Sequence, residues 1–218
     1  MSTDKVIQKT HDFIKQKFEN ESSGHDYWHM YRVWKLSRHI AEQEGNADTF
    51  VIELAALLHD IEDWKFNDGD FEAGPKAARE WLESIDVADD IIEHIEDIIR
   101  NISFKGAHVR TDIKTKEGKI VHDADKLDAI GAVGIARAFA YGGNRNRSLH
   151  DPEAIPDQHV AFEAYKNSNS TTINHFYEKL LLLKDRMFTQ TGRQMAERRH
   201  KFMERFLEEF YVEWDGKS

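Results

Sequence analysis

Between about Thr49 and Ile61 the residues Val51, Ile52, Leu54, Ala55, Ala56, Leu57 and Leu58 cover almost every side of a helix with apolar groups. A helix of that kind must be buried from all directions by other elements. The rest of the chain supplies helices to bury it. Apolar residues recur at helical spacing over long windows, and 3 prolines and 12 glycines among 218 residues leave little material for hairpins. The expected fold class is all-α, a compact multi-helix bundle. Helices are predicted near Asp4–Asn20, Asp26–Glu44, Thr49–Ile61, Glu72–Ser84, Asp89–Ile102 and Lys119–Tyr141. In the last of these, Gly131 and Gly134 lie one turn apart and would permit a close helix contact. A long polar excursion follows over about Gly142–Thr172, carrying Pro152 and Pro156 and a short helix near Gln158–Tyr165. Two C-terminal helices, near Ile173–Met187 and Gly192–Trp214, are expected to pack on the core through stripes such as Phe202, Phe206 and Phe210. The chain reads as one domain over 1–218, with a site-bearing core at about 22–141, the polar loop at about 142–172 and the C-terminal helices at about 173–214.

What the apolar helix delivers inward matters most. It ends in His59-Asp60, and an unpartnered polar group in such a place costs several kcal/mol, on the order of a lost buried hydrogen bond or more. A buried ion pair or a hydrogen-bonded core histidine would satisfy the pair, and so would a cation. Around His122 the carboxylates Asp123, Asp125 and Asp128 interrupt a helix otherwise built from Ile120, Val121, Ala124, Leu127, Ala129 and Ile130. Asp125 points to function, while Asp123 and Asp128 read equally well as facing water at the helix edge. In Gly24-His25-Asp26-Tyr27-Trp28-His29-Met30-Tyr31-Arg32-Val33, His29 sits between apolar positions, with Arg32 one turn on. His25 lies ahead of that helix or caps it. His11, beside Thr10 and Asp12 on a polar helix side, reads as solvated. His150, before Pro152, reads as part of a turn.

The histidines and carboxylates are the available metal ligands, because the sequence has no cysteine. His29, His59, Asp60 and Asp125 form an N/O set suited to one divalent cation, manganese first, with magnesium, iron, cobalt or nickel as alternatives. Lys+Arg 30 against Asp+Glu 40 gives a net charge of −10. A nucleic-acid duplex or an anionic membrane is therefore a poor partner, and any small anion needs a local set of cations. The polar N-terminus and the lack of a membrane-length apolar run suggest a cytoplasmic protein. Oligomeric state is not fixed by these features, and a homodimer is compatible with them.

The local forms His-Asp-Tyr-Trp-His-Met-Tyr-Arg-Val, Leu-Leu-His-Asp-Ile and Asp-Ala-Asp-Lys-Leu-Asp-Ala-Ile-Gly, in that order, resemble the HD-domain metal-dependent phosphohydrolase superfamily, and most closely its small bacterial hydrolases. The similarity extends through Arg137-Ala138-Phe139-Ala140-Tyr141-Gly142-Gly143 and His175-Phe176-Tyr177-Glu178-Lys179-Leu180, and so covers most of the chain. The resemblance implies an all-helical HD-domain bundle and nucleotide-like phosphate substrates. It implies His29 as first ligand, His59 and Asp60 as the central pair, and Asp125 as the last, since the family's aspartate precedes a basic residue and a leucine, here Lys126-Leu127. It also implies catalytic acids just after the His-Asp pair, here Glu62 and Asp63.

Four such ligands leave two octahedral positions open, for water and for a phosphoryl oxygen, and a nearby carboxylate would take the proton. On a helix continuing past Asp60, Asp63 returns to the same side one turn later, whereas Glu62 faces away. Asp63 is accordingly preferred as the base or water-orienting group. Substrate-binding candidates are Arg32, His25, Lys65, Lys105, Lys126 and Arg145. Arg145 belongs to Gly142-Gly143-Asn144-Arg145-Asn146-Arg147, where glycines adjoin arginines able to grip phosphate, although Arg147 reads equally as a solvated loop residue. The basic cluster Arg193, Arg198, Arg199, Lys201 and Arg205 alternates with glutamates and reads as a salt-bridged helix face. The function expected is hydrolysis of a nucleoside triphosphate to monophosphate and pyrophosphate, or removal of its terminal phosphate. Two alternatives are an HD-type diiron oxygenase, for which only His94 and His122 could supply further ligands, and a metal- and nucleotide-binding sensor without turnover.

Overall fold

The computed structural model describes residues 1–19, 26–62, 70–102, 112–156 and 170–217. Every regular element among the described residues is helical, as the periodicity predicts. None of these helices is long and apolar enough to cross a membrane. The chain divides into two compact units, whose boundary falls between Ala124 and Asp125 inside one continuous helix.

The first unit contains α1 (Thr3–Lys17), α2 (Tyr27–Glu44), α3 (Thr49–Leu58), α4 (Ala73–Ser84), α5 (Asp89–Ile102) and most of α6 (Lys116–Asp128). The apolar α3 lies at its centre, against α1, α2 and α5, with Leu54, Ala55, Ala56, Leu57 and Leu58 fully buried. Asp48 starts this helix by accepting hydrogen bonds from the amides of Phe50 (2.9 Å) and Val51 (3.2 Å), which satisfies two of its free N–H groups. On α5, Ile92, Ile95, Ile99 and Ile102 form the buried stripe. The helix predicted to reach Ile61 stops at Leu58: the chain turns there, and the Ile61 amide donates back to the Leu58 carbonyl at 3.0 Å. The helical offset that favoured Asp63 over Glu62 therefore does not apply.

His11 is not solvated. It is 9 % exposed and packs edge-on against Trp34, with Tyr27 and Tyr31 also near it. Burial holds its pKa below the ordinary histidine value, against the opposing effect of Asp12. Its apolar surroundings come from α2, a helix distant in sequence from the polar neighbours that suggested exposure.

The second unit holds the end of α6, α7 (Gly131–Asn144), α8 (Thr172–Glu178), a 3-10 segment (Leu180–Arg186) and α9 (Gln190–Trp214). The single helix predicted over Lys119–Tyr141 is two helices. The break lies at Gly131, whose φ of 77° is left-handed and whose absent side chain leaves room for that of Arg199. A Cβ there would lie 2.9 Å from Arg199 Cγ. Arg199 Nη1 donates to the Leu127 carbonyl in the last turn of α6, an acceptor that also takes the Ile130 amide at 3.2 Å. Arg199, half-buried, thus packs at the end of α6 rather than on the salt-bridged face, which does include the Lys201–Glu197 pair at 3.3 Å. The close glycine contact that the sequence suggested is made by Gly131 to this side chain. The helix predicted over Ile173–Met187 is also split, into α8 and the 3-10 segment, with Lys179 off helical geometry at φ −141°. The short helix predicted near Gln158–Tyr165 falls outside the described residues.

Candidate metal centre

Three helices position the side chains. Asp26 caps α2 by accepting from the His29 amide at 2.9 Å, which fixes His29 in the first turn with its imidazole buried. His59 is the residue after α3 and retains helical backbone angles (φ −59°, ψ −30°), so the buried helix carries its ring inward. Its Nδ1–H donates to the Ala56 carbonyl at 2.8 Å. A carbonyl can only accept, so this bond places the proton on Nδ1 and leaves the Nε2 lone pair of the neutral ring directed at the site.

The two Nε2 atoms of His29 and His59 face each other at 3.2 Å. Asp60 Oδ2 lies 3.4 Å from the first and 3.7 Å from the second. Asp125 is the tenth residue of α6, on the continuous helix that begins in the first unit, and its carboxylate completes a group with His29 and His59 in which one ligand atom from each lies within 4.8 Å of the others. The imidazoles are buried, whereas the side chains of Asp60 and Asp125 keep 21 % and 22 % of their surface, so the site opens to solvent on its carboxylate side.

These donors suit a divalent cation. Neighbouring ligands on an octahedron with bonds of about 2.1 Å stand about 3 Å apart, which is the separation of the two imidazole nitrogens. Without a cation, the two carboxylates repel one another, and the Nε2–Nε2 approach at 3.2 Å is a hydrogen bond in which His29 Nε2–H donates to the His59 lone pair. Lys126 meets part of the negative charge: its Nζ, on a side chain 7 % exposed, donates to Asp125 Oδ2 at 2.8 Å.

The remaining carboxylates of α6 do not face water. Asp123 is fully buried beside His122, with Nδ1 and Oδ1 at 3.2 Å, and Asp128 is buried against Arg137 at 2.9 Å. The water-facing reading of both is therefore corrected: each has a nearby cationic or hydrogen-bonding side chain that makes burial tolerable. His94 Nε2 lies 3.8 Å from Glu117 on the opposite end of α6 from Asp125. Among the other sequence candidates, Arg32 is half-buried on α2, one turn beyond His29, and Arg145 is exposed at the end of α7. Glu62 pairs with Lys17 of α1 at 2.5 Å, a contact that sequence spacing could not reveal. His25, Asp63, Lys65 and Lys105 lie outside the described residues.

Comparison with known proteins finds the HD domain model matching residues 27–130. The Bacillus subtilis protein YpgQ is 37 % identical over 213 residues, covering 97 % of this chain and 95 % of its own. A crystal structure of an HD-superfamily hydrolase from Bacillus thuringiensis aligns at 42 % identity with a TM-score of 0.76, covering 98 % of this chain and 99 % of that one. A crystal structure of a protein from Lactobacillus plantarum aligns at 34 % identity and TM-score 0.86, covering 99 % of this chain and 100 % of that one. YpgQ has also been solved in complex with ADP, and that structure aligns over the full length of both chains at TM-score 0.74 and 33 % identity.

Proposed function

Because the chain belongs to the HD-domain superfamily of metal-dependent phosphohydrolases, we propose that it cleaves a nucleoside triphosphate to the monophosphate and pyrophosphate, with release of the terminal phosphate as the neighbouring possibility. The observation that carries this reading is the convergence of His29 Nε2, His59 Nε2 and the Asp125 carboxylate, with Asp60 alongside. The ADP bound to the related YpgQ supports a nucleotide as ligand.

In this reading His29, His59, Asp60 and Asp125 hold one divalent cation, manganese for preference. When bound, it supplies Lewis-acid polarisation of a phosphoryl oxygen and an activated water. The chain's own groups do the rest. The Ala56 carbonyl keeps His59 in the tautomer that presents Nε2, and the Asp26 cap holds the turn that carries His29. Lys126 orients the Asp125 carboxylate and contributes positive charge to the site, and Arg32 sits one turn from His29 to meet substrate phosphate. Asp63 accepts the proton of the attacking water, an assignment that rests on its place after the His-Asp pair. Glu62, already paired with Lys17, is the weaker candidate. His25, Lys65 and Lys105 are further substrate contacts by sequence.

A panel of nucleotides incubated with Mn, Mg, Fe, Co or Ni, with phosphate and pyrophosphate measured separately, tests the reaction. Monophosphate with pyrophosphate is the expected pair of products; absence of both pyrophosphate and orthophosphate across the panel would contradict the assignment. Asp63→Asn should keep its metal and lose turnover by roughly 10² to 10⁴-fold, the usual worth of a positioned base. Glu62→Gln should lose far less. Wild-type turnover in Asp63→Asn, or loss of its metal, removes Asp63 from the base role.

A further inference from the structure

The first unit carries a cavity of about 400 Å³ between the end of α1 and the start of α2. That volume falls within the about 300–1,000 Å³ typical of small-molecule sites. Its walls are of two kinds. Phe18, Tyr27 and Trp28 supply aromatic surface, and Asp12, Glu19 and Asp26 supply carboxylates against a single lysine, Lys15.

Trp28 is 56 % exposed, a large apolar ring left open to solvent. Tyr27 and Tyr31 meet it edge-on, with centroids 5.1 and 5.7 Å away, which fixes its orientation and leaves much of its surface uncovered. The acids are only partly used. Asp26 Oδ1 accepts from the His29 amide at 2.9 Å and Asp12 Oδ1 from Gln8 Nε2 at 3.0 Å. Among the described residues, the second oxygen of each and both oxygens of Glu19 accept no hydrogen bond.

Both walls run into the metal centre. Asp26, which lines the cavity, is the cap that fixes the turn of His29, and α1 ends on Lys17, whose Nζ meets Glu62 Oε1 at 2.5 Å, two residues beyond Asp60. A ligand in the cavity therefore lies beside the segments that carry His29 and Asp60. Three carboxylates against one lysine disfavour phosphate there, so the phosphates of a nucleotide belong on the metal side and the cavity is left for its other end. A flat base stacks on aromatic side chains. Carboxylate oxygens only accept, and so reward a base edge that donates: an exocyclic amine does, whereas the oxo group in its place sets lone pair against lone pair.

We infer that this cavity holds the base of the substrate nucleotide against Trp28 and selects bases with an exocyclic amine, adenine and cytosine over hypoxanthine and uracil. The ligand class rests on the nucleotide reading proposed above. Nucleosides, which have no phosphate to cleave and need no metal, separate the two. Titration of chelator-treated full-length protein with adenosine, inosine, cytidine and uridine, followed by saturation-transfer NMR of the nucleoside protons, measures the site directly. Adenosine and cytidine should bind saturably, each about ten-fold tighter than its oxo counterpart, the worth of one charge-assisted hydrogen bond. Trp28→Leu, at an exposed position, should weaken adenosine by about ten-fold, the usual worth of one base–aromatic stack, with the manganese content of the protein unchanged. Asp12→Asn combined with Glu19→Gln, both exposed, substitutes amides that donate as well as accept and should bring the adenosine-to-inosine ratio toward one. Lack of saturable binding by any nucleoside, equal affinity for adenosine and inosine, or unchanged adenosine affinity in Trp28→Leu would overturn the site. Nucleoside selectivity in a protein that cleaves no nucleotide would leave the site standing and remove the reaction.

Discussion

The end of α3 and the C-terminal half of α6 both carry polar groups into an apolar interior, and they are supported in different ways. At the end of α3 the helix simply stops, and the Ala56 carbonyl, freed from regular helical pairing, takes the His59 Nδ1–H and turns the other nitrogen toward the site. Along the C-terminal half of α6 each carboxylate instead meets a side chain: Asp123 beside His122, Asp125 with Lys126, and Asp128, the last residue of the helix, with Arg137. The end of α3 orients a ligand through backbone. The carboxylates of α6 balance charge with charge, and so depend on residues that can be removed one at a time.

At neutral pH the largest stability effect should accordingly fall on α6. Asp128→Ala leaves Arg137 without the carboxylate that a buried partner supplies, and should cost about 3 kcal/mol, the lower end for a broken buried pair because Arg137 keeps 21 % exposure. Urea unfolding would measure it. A cost near zero would show that α6 does not depend on pairing.

A pH-dependent effect separates these residues from His175, on which Lys179 and Arg147 both exert positive charge. Its folded-state pKa of about 3 lies below the ordinary 6.5, so the unfolded chain binds the proton first as pH falls. Its contribution to stability is complete above about 6.5 and is lost progressively toward 3, with a slope of at most about 1.4 kcal/mol per pH unit. His175→Gln should flatten the stability profile in that window; an unchanged slope would place the acid sensitivity elsewhere. The smallest effect belongs to α3 itself, where Asp48→Ala removes the acceptor for two amides and should cost about 1 kcal/mol in thermal unfolding.

The same contrast explains what the amino-acid pattern reveals. The burial of α3, and with it the inward delivery of His59 and Asp60, is legible because an all-apolar helix has one physical solution. Asp123 and Asp128 admitted two readings because a helical pattern does not say which neighbours a face will meet, and Arg137 is brought to Asp128 by a turn at Gly131. That turn was itself hidden: the left-handed glycine and the vacant Cβ position are matched to Arg199, which lies far along the chain on α9. His11 was misplaced for the same reason, since Tyr27, Tyr31 and Trp34 reach it from another helix. The stacking of Arg145 and Arg147 on Tyr141 is local to one turn, whereas the fastening of that turn to α8 by the Thr172 and Ile173 amides joins segments that sequence spacing does not connect.

The central claim is that His29 and His59, fixed by helix ends, and Asp60 and Asp125 together hold one divalent ion. Metal content measured after manganese loading and desalting, on wild type, His59→Gln and His122→Gln, tests it most directly. Wild type and His122→Gln should each retain one ion per chain, and His59→Gln, with its helical circular dichroism unchanged, should retain none. Full metal content in His59→Gln would contradict the account.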